Sequence, residues 1–306
     1  MDLSIIIVSW NVRDLLERAL ACVSTTVRAS SFEVIVVDNA SDDGSVAMVR
    51  ERFPEVRVIA NPENVGFGRA NNQGAALARG RYLLLLNPDA FVHAGTLDQL
   101  VAFMDAHPDA GAAAPRLRYE DGRLQRSVTS FPTVLTELWT TIGLDRAFPK
   151  HPVFGRYKLT YWAMDDLRPV DALMGACLLL RREVVNQVGL FDEQFFMYSE
   201  EVDLCYRIQR AGWKNYFVPS VEATHIWGGS SQRVPTQTFL RLFRSRVQFF
   251  RKHYGTTTTR LYKAVLVLAA ALRVAGGPIV FALRRDAGLV SIYLNYLALL
   301  RTVRSL

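Results

Sequence analysis

Near-continuous apolar runs at Leu3–Val8, Phe32–Val37, Val56–Ala60 and Tyr82–Leu86 dominate the first part of the chain. They lack the regular polar alternation of a half-exposed sheet, so they read as strands buried on both faces. Helix-like periodicity separates them, at about Asp14 to Val23, Ser45 to Phe53 and Gly68 to Ala78. Strands alternating with helices predict an α/β fold, a mainly parallel sheet flanked by helices. Ligands of such sheets sit beyond the carboxyl ends of the strands. The polar clusters around Trp10, Asp38, Asn64 and Asp89 follow those strands or lie in adjoining loops.

Further along, residues 116–171 are irregular, with Pro132, Pro149, Pro152 and Pro169 among many aromatics, and read as a flap shaping a cleft. Strand character returns over Asp171–Leu180, where Gly175 permits close approach. Leu204 and Ile208 then share one helix face, and Gly212 is a natural stop. The tail is different. Phe239–Tyr254 has apolar residues at helical spacing, and Ala264–Leu283 is uncharged except for Arg273. That stretch is long enough to cross a bilayer. Its arginine and the Gly276-Gly277-Pro278 break favour a re-entrant or interfacial helix pair instead.

Charge sharpens the division. The chain carries a formal +7, yet residues 239–306 hold 12 Lys/Arg against the single acid Asp286. That is a local +11, which leaves −4 for residues 1–238. The reading is a domain at residues 1–233 and a basic, apolar C-terminal helical appendage at 234–306 that associates with an anionic membrane surface. No zinc-finger spacing or recognition-helix motif points to nucleic acid. A helical cap with a solvated basic face is the plainer alternative. Cys22, Cys177 and Cys205 are too few and badly spaced for a disulfide framework, which fits reducing cytosol. The start, with no basic leader, reads without a signal peptide.

Several clusters can carry chemistry, and each has an ordinary structural reading beside it. Glu200 and Glu201 stand where the aromatic segment Phe195-Phe196-Met197-Tyr198 gives way to a helix. A carboxylate there, partly desolvated, can take a proton from a substrate hydroxyl. Equally, Ser199 can cap a helix whose first turn favours acids, with Asp203 pairing Arg207. Asp38 can accept a hydrogen bond from a pyrimidine imide while Trp10 packs beside the base; Asp38–Ser45 is also rich in turn formers. Asn64–Gly74 lacks both G-x-G-x-x-G spacing and a Walker lysine, so its small residues more simply bring a helix close to the nucleoside pocket. Asn87-Pro88-Asp89 suits a hard divalent ion and suits a strand-closing turn just as well. His225 can add a nitrogen ligand or be structural.

In this order and spacing the pieces resemble family 2 glycosyltransferases, in the rhamnosyltransferase-like branch. The resemblance spans about Leu3 to Ser231. It rests on Ile5–Asn11, Val36–Ser45, Asn64–Gly68, Asn87–Asp89, and Gly189–Glu193 leading into Glu200–Cys205. It implies a GT-A fold and an inverting, single-displacement transfer from a nucleotide sugar, dTDP-rhamnose or a UDP-sugar, to a glycan or lipid-linked saccharide acceptor. Ser9, Trp10, Asn11, Asp38, Asn64, Gly68, Asn72 and Pro88 would contact the nucleotide. Asp89, His225 and Asn87 would hold Mg2+ or Mn2+. Glu201 would be the base, with Glu200 beside it, and Gly175, Ala176 and Trp227 would border the acceptor. The cysteine usage and the basic, apolar tail together place the protein at the cytoplasmic face of the cell membrane, peripheral or monotopic.

Two departures matter: Asn87 stands where the motif's first acid is usual, and Glu201 replaces the commoner Asp. Competing readings are a sugar-nucleotide pyrophosphorylase, for which Ser9–Arg13 is a poor match to the expected glycine-rich basic loop, and a processive polysaccharide synthase, which needs convincing spans. A non-catalytic nucleotide-sugar-binding membrane scaffold would have no reason to retain Asp89, Glu201 and His225.

Overall fold

The computed structural model describes residues 1–226, 235–284 and 287–303. Its strands are β1 (Leu3–Ser9), β2 (Phe32–Asp38), β3 (Arg57–Ala60), β4 (Tyr82–Leu86), β5 (Ala90–Val92), β6 (Ala110–Arg118), β7 (Leu124–Gln125), β8 (Val128–Thr129), β9 (Arg168–Val170), β10 (Ala172–Leu173), β11 (Cys177–Arg181) and β12 (Lys214–His225). The helices are α1 (Arg13–Thr26), α2 (Ser45–Arg52), α3 (Phe67–Leu77), α4 (Thr96–Ala106), α5 (Val134–Ile142), α6 (Leu144–Ala147), α7 (Arg182–Val188), α8 (Glu200–Arg210), α9 (Pro235–Arg284) and α10 (Ala287–Thr302). They form two compact units.

The first unit comprises Met1–Phe131, Ala163–Phe196 and Glu200–Gln232. Its sheet runs β3-β2-β1-β4-β11-β6-β12-β5, with β7 on β6 and β9 on β12; β8 and β10 pair separately. The first four strands are parallel, so the ends of β1 and β2 lie side by side, Ser9 opposite Asp38. β11 is antiparallel to β4, which sets its first residue, Cys177, against the last residue of β4, Leu86. β12 returns parallel to β6 and ends with His225 opposite Ala90 of β5. The expected strand over Asp171–Leu180 is thus two short strands with a turn at Met174–Ala176.

Burial on both faces explains the unbroken apolar runs. Ile5, Ile7 and Val36 face Leu16, Leu20 and Val23 of α1 and Met48 and Val49 of α2 on one side. Ile35 and Val37 meet Ala70 of α3 on the other. Each such side chain contributes about 1.5–3 kcal/mol when fully buried. The small residues of α3 serve this packing, since a Cβ on Gly74 would come 2.6 Å from the Ile6 side chain.

The second unit comprises Pro132–Trp162, Met197–Ser199 and Arg233–Leu306. Much of the segment read as a flap therefore packs with the tail helices. The join is a buried polar cluster. Arg246 of α9 lies 3.6 Å from Glu137 of α5 and bonds the Tyr157 hydroxyl, while Tyr262 donates to Glu137 at 3.4 Å. Burial raises the Glu137 carboxyl above its ordinary range, against the opposing pull of Arg246. The expected break at Gly276-Gly277-Pro278 is absent: α9 stays helical there and turns at Gly255 instead. At φ 78° and ψ 178°, Gly255 occupies backbone space essentially closed to other residues. Among the described residues, no helix is long and apolar enough to cross a membrane.

Candidate active site at the strand ends

The loops after β1 and β2 brace each other. Asn39 N–H donates to the Ser9 carbonyl at 2.8 Å, Asn11 N–H to Ser41 Oγ at 2.9 Å, and Asp42 N–H to Asn11 Oδ1 at 2.8 Å. Asp43 Oδ2 accepts from Arg13 N–H at 2.8 Å, satisfying one of the free amides that open α1. Within this frame Asp38 Oδ1 accepts from Ser41 N–H at 2.9 Å. Asp38 Oδ2 and Ser9 Oγ are buried and have no hydrogen-bond partner among the described residues. Polar atoms buried in this way normally find a partner. Two on neighbouring strand ends suit a ligand that donates to the carboxylate, such as a pyrimidine imide. Trp10 stands half-buried beside them.

A second centre forms where β4, β5 and β12 meet. Ala90 N–H donates to the Asn87 carbonyl at 3.0 Å, closing the Asn87-Pro88-Asp89 turn, and Ile226 N–H donates to the Asp89 carbonyl at 2.9 Å. The turn is structural, and it also presents chemistry. Asp89 and His225 are both buried, with Asp89 Oδ1 3.3 Å from His225 Nε2. Asn87 Nδ2 is 3.5 Å from the same nitrogen. On the far side of the ring, His225 Nδ1 lies 2.9 Å from Gln125 Oε1. With Nδ1 engaged by Gln125, Nε2 and the Asp89 oxygen face each other, an imidazole nitrogen and a carboxylate oxygen that are both ordinary ligands of a divalent cation. Adjacent ligands of an octahedral ion with bonds of about 2.1 Å stand about 3 Å apart, close to the separation seen here. Among the described residues no three His, Cys, Asp or Glu side chains are grouped so as to hold a metal ion by themselves. One carboxylate with few other protein ligands is nonetheless usual for an ion that also binds substrate phosphates. The donor set fits.

The carboxylate pair connects to this centre through backbone. Asn87 N–H donates to the Ala176 carbonyl at 2.9 Å. A Cβ on neighbouring Gly175 would lie 3.8 Å from Glu201 Cβ, ordinary contact rather than a clash. Leu173 N–H points at Cys205 Sγ, 3.5 Å away and one turn along α8 from Glu201. Asp89, Ala176, Gly175 and Glu201 therefore follow one another at one end of the sheet. The chain enters α8 through left-handed Tyr198 and Ser199, at φ 70° and 63°. Glu200, Glu201 and Asp203 then favour the positive end of the helix dipole. Ser199 Oγ has no hydrogen-bond partner among the described residues, so it does not cap the helix. Asp203 does bind Arg207, at 2.8 Å. Glu200 is buried and Glu201 half-exposed. Burial first, and the Glu201 charge second, push the Glu200 carboxyl well above its ordinary range.

Other expected nucleotide contacts have structural partners. Asn64 Oδ1 accepts from Gly66 N–H at 3.0 Å, forming a local turn. Asn72 clasps Phe191, accepting from its N–H at 3.0 Å and donating to its carbonyl at 2.9 Å. Gly68 sits so close to Phe191 and Phe195 that a Cβ would meet both at 3.3 Å. The glycine-rich stretch is thus shaped by the Phe191–Phe196 loop. Trp227, expected at the acceptor, lies outside the described residues. Gln125 went unread in the sequence: nothing in Leu124-Gln125-Arg126 announces a partner for a histidine 100 positions later.

Comparison with known proteins bears on the lineage and the fold. The profile named Glycosyl transferase family 2 matches residues 4–189, ending before Glu201 and His225. The N-acetylglucosaminyl-diphospho-decaprenol L-rhamnosyltransferase of Mycobacterium tuberculosis is 34% identical over 244 residues, 76% of this chain and 78% of that protein. Rhamnosyltransferase WbbL of Escherichia coli is 28% identical over 229 residues, 72% of this chain and 82% of its own length. Among solved structures, the mannosyltransferase PcManGT from Pyrobaculum calidifontis, in complex with GDP-Man and Mn2+, superposes with a TM-score of 0.61 at 18% identity. That match covers 99% of this chain and 86% of the other. The fold is GT-A, and a profile spanning more than half the chain together with a relative this similar settles its lineage: the chain belongs to glycosyl transferase family 2, in the rhamnosyltransferase-like branch.

Proposed function

We propose that the protein transfers a rhamnosyl group from dTDP-rhamnose to a hydroxyl of a lipid-linked saccharide, inverting the anomeric centre, at the cytoplasmic face of the cell membrane. The donor and acceptor classes are carried by likeness to the Mycobacterium tuberculosis enzyme, whose name specifies an L-rhamnosyl group and a diphospho-decaprenol acceptor. The supporting geometric observation is the continuous path from the Asp89–His225 pair through Ala176 and Gly175 to Glu201.

In this reading the base and ribose rest against Ser9, Trp10 and Asp38, with Pro88 bordering the phosphates. Asp89 and His225, with Asn87 alongside, would hold Mg2+ or Mn2+, whose Lewis acidity neutralises charge on the departing diphosphate. The acceptor hydroxyl approaches over Gly175 and Ala176. Glu201 removes its proton as the oxygen attacks the anomeric carbon, and the bond from that carbon to the diphosphate oxygen breaks. Glu201 then releases the proton to solvent. Burial first, and the Glu201 charge second, raise the Glu200 carboxyl well above its ordinary range, which disfavours a second negative charge beside the base. Residues 1–233 act as the transferase domain, and 234–306 as the membrane-associating region.

The test is a donor screen that reads released nucleoside diphosphate, with Mn2+, Mg2+ or chelator, followed by NMR of the product's anomeric configuration. Turnover with dTDP-rhamnose, lost on chelation and giving the inverted linkage, is expected. Preference for another donor refutes the rhamnose assignment, and full activity in chelator refutes the metal.

A further inference from the structure

The second half of α9 is apolar on two faces. Tyr262, Leu266, Ala269 and Ala270 are buried within the second unit. On the other side Leu261, Ala264, Leu268, Ala271, Leu272 and Ala275 are all exposed, the leucines at 56%, 48% and 54%. At 3.6 residues per turn these six fall within an arc of about 100° and extend for about 20 Å. No charged residue interrupts the arc. A solvent-facing stripe of this kind marks an interaction surface.

Charge identifies what covers it. The second unit contains 17 Lys and Arg but only three acids, a balance of +14. Two of those acids are withdrawn from the surface: Glu137 faces Arg246 at 3.6 Å, and Asp145 is bound by Lys158 at 3.3 Å. The third, Asp286, lies outside the described residues. Among the described residues the unit's exposed charges are therefore all positive, including Arg244, Arg251, Lys252 and Arg260 on α9 itself. A second copy of the chain would set like charges against each other. An anionic lipid surface complements both the cations and the leucines.

We infer that the outer stripe of α9, from Leu261 to Ala275, lies in the plane of an anionic bilayer with its leucines among the acyl chains and the neighbouring cations on the headgroups. This deepens the lipid-linked acceptor reading and rests on it only for the reason a membrane is needed. The docking itself can fail or hold separately.

The test uses the full chain and vesicles of phosphatidylcholine with or without phosphatidylglycerol, free of any acceptor lipid. Co-sedimentation with the anionic vesicles, weakened by salt, is expected. Leu268→Ser with Leu272→Ser should lower that partition about tenfold or more, with an unchanged circular dichroism melt. Arg251→Glu with Lys252→Glu should weaken binding to anionic vesicles only. Equal binding by wild type and both double variants would overturn the inference. So would a leucine double variant that binds vesicles normally but changes from dimer to monomer in light scattering. Vesicle binding without transfer to a carrier-linked acceptor would refute the acceptor reading and leave the docking intact.

Discussion

Glu200→Gln isolates the effect of the buried carboxyl beside the base. In the unfolded chain Glu200 loses its proton near the ordinary value of 4.5, whereas burial and the Glu201 charge hold the proton on in the folded protein to a higher pH. Above that value the folded state thus binds more protons than the unfolded state, and stability falls as pH rises. One retained proton gives a limiting slope of about 1.4 kcal/mol per pH unit. The loss ends once the folded carboxyl itself ionises. Glutamine keeps the shape of the neutral acid and cannot ionise. The variant should match wild type at pH 4 and become progressively more stable than wild type above pH 5, approaching that slope. Urea unfolding at half-unit steps from pH 4 to 8 measures both curves. Parallel curves would show that Glu200 ionises as freely as an exposed glutamate, and the electrostatic account of the pair would be lost.

Three other outcomes follow from the geometry. Glu201→Gln should lower kcat by about 10²–10⁴-fold while calorimetry shows donor affinity kept; unchanged turnover rejects Glu201 as the base. Gln125→Leu removes the partner of His225 Nδ1 and should weaken Mn2+ dependence of nucleotide binding about 10–100-fold, whereas an unaltered metal titration would separate His225 from the ion. Gly66→Ala puts a Cβ 2.7 Å from the Phe196 carbonyl at φ 88°, so thermal melting should show a loss of about 1–3 kcal/mol, and a wild-type melt would mean that the loop yields freely.

How much of this the sequence disclosed depended on distance along the chain. The buried strands and the position of Asp38 follow from short apolar runs, because burial on both faces leaves a local signature. Asn87-Pro88-Asp89 and His225 were legible as candidate chemistry through the resemblance, though the tripeptide alone was ambiguous; it closes a turn, and it sets Asp89 3.3 Å from His225. Asn72, which the resemblance sets at the nucleotide, also bonds Phe191, 119 residues away, a contact that no local pattern announces. Gln125 was invisible for the same reason. Pro132–Trp162 looked like a flap because prolines and aromatics disrupt periodicity, but its Glu137 reaches Arg246 and Tyr262 in the tail. The helix break was misplaced as well: α9 tolerates Gly276-Gly277-Pro278 and turns at a lone glycine that only its backbone angles reveal.

The reversed direction of β11 has a consequence for how such an enzyme diversifies. The four mutually parallel strands β1 to β4 deliver their carboxyl ends to the candidate site, so the site residues they carry come after strands. β11 delivers its beginning, so Met174–Ala176 reaches the same site before its strand starts. The Asn87–Asp89 turn and the Met174–Ala176 turn, which meet through the hydrogen bond from Asn87 N–H to the Ala176 carbonyl, therefore come from segments of opposite polarity nearly ninety positions apart. Because that bond joins main-chain atoms, the side chains of either turn can change without breaking it.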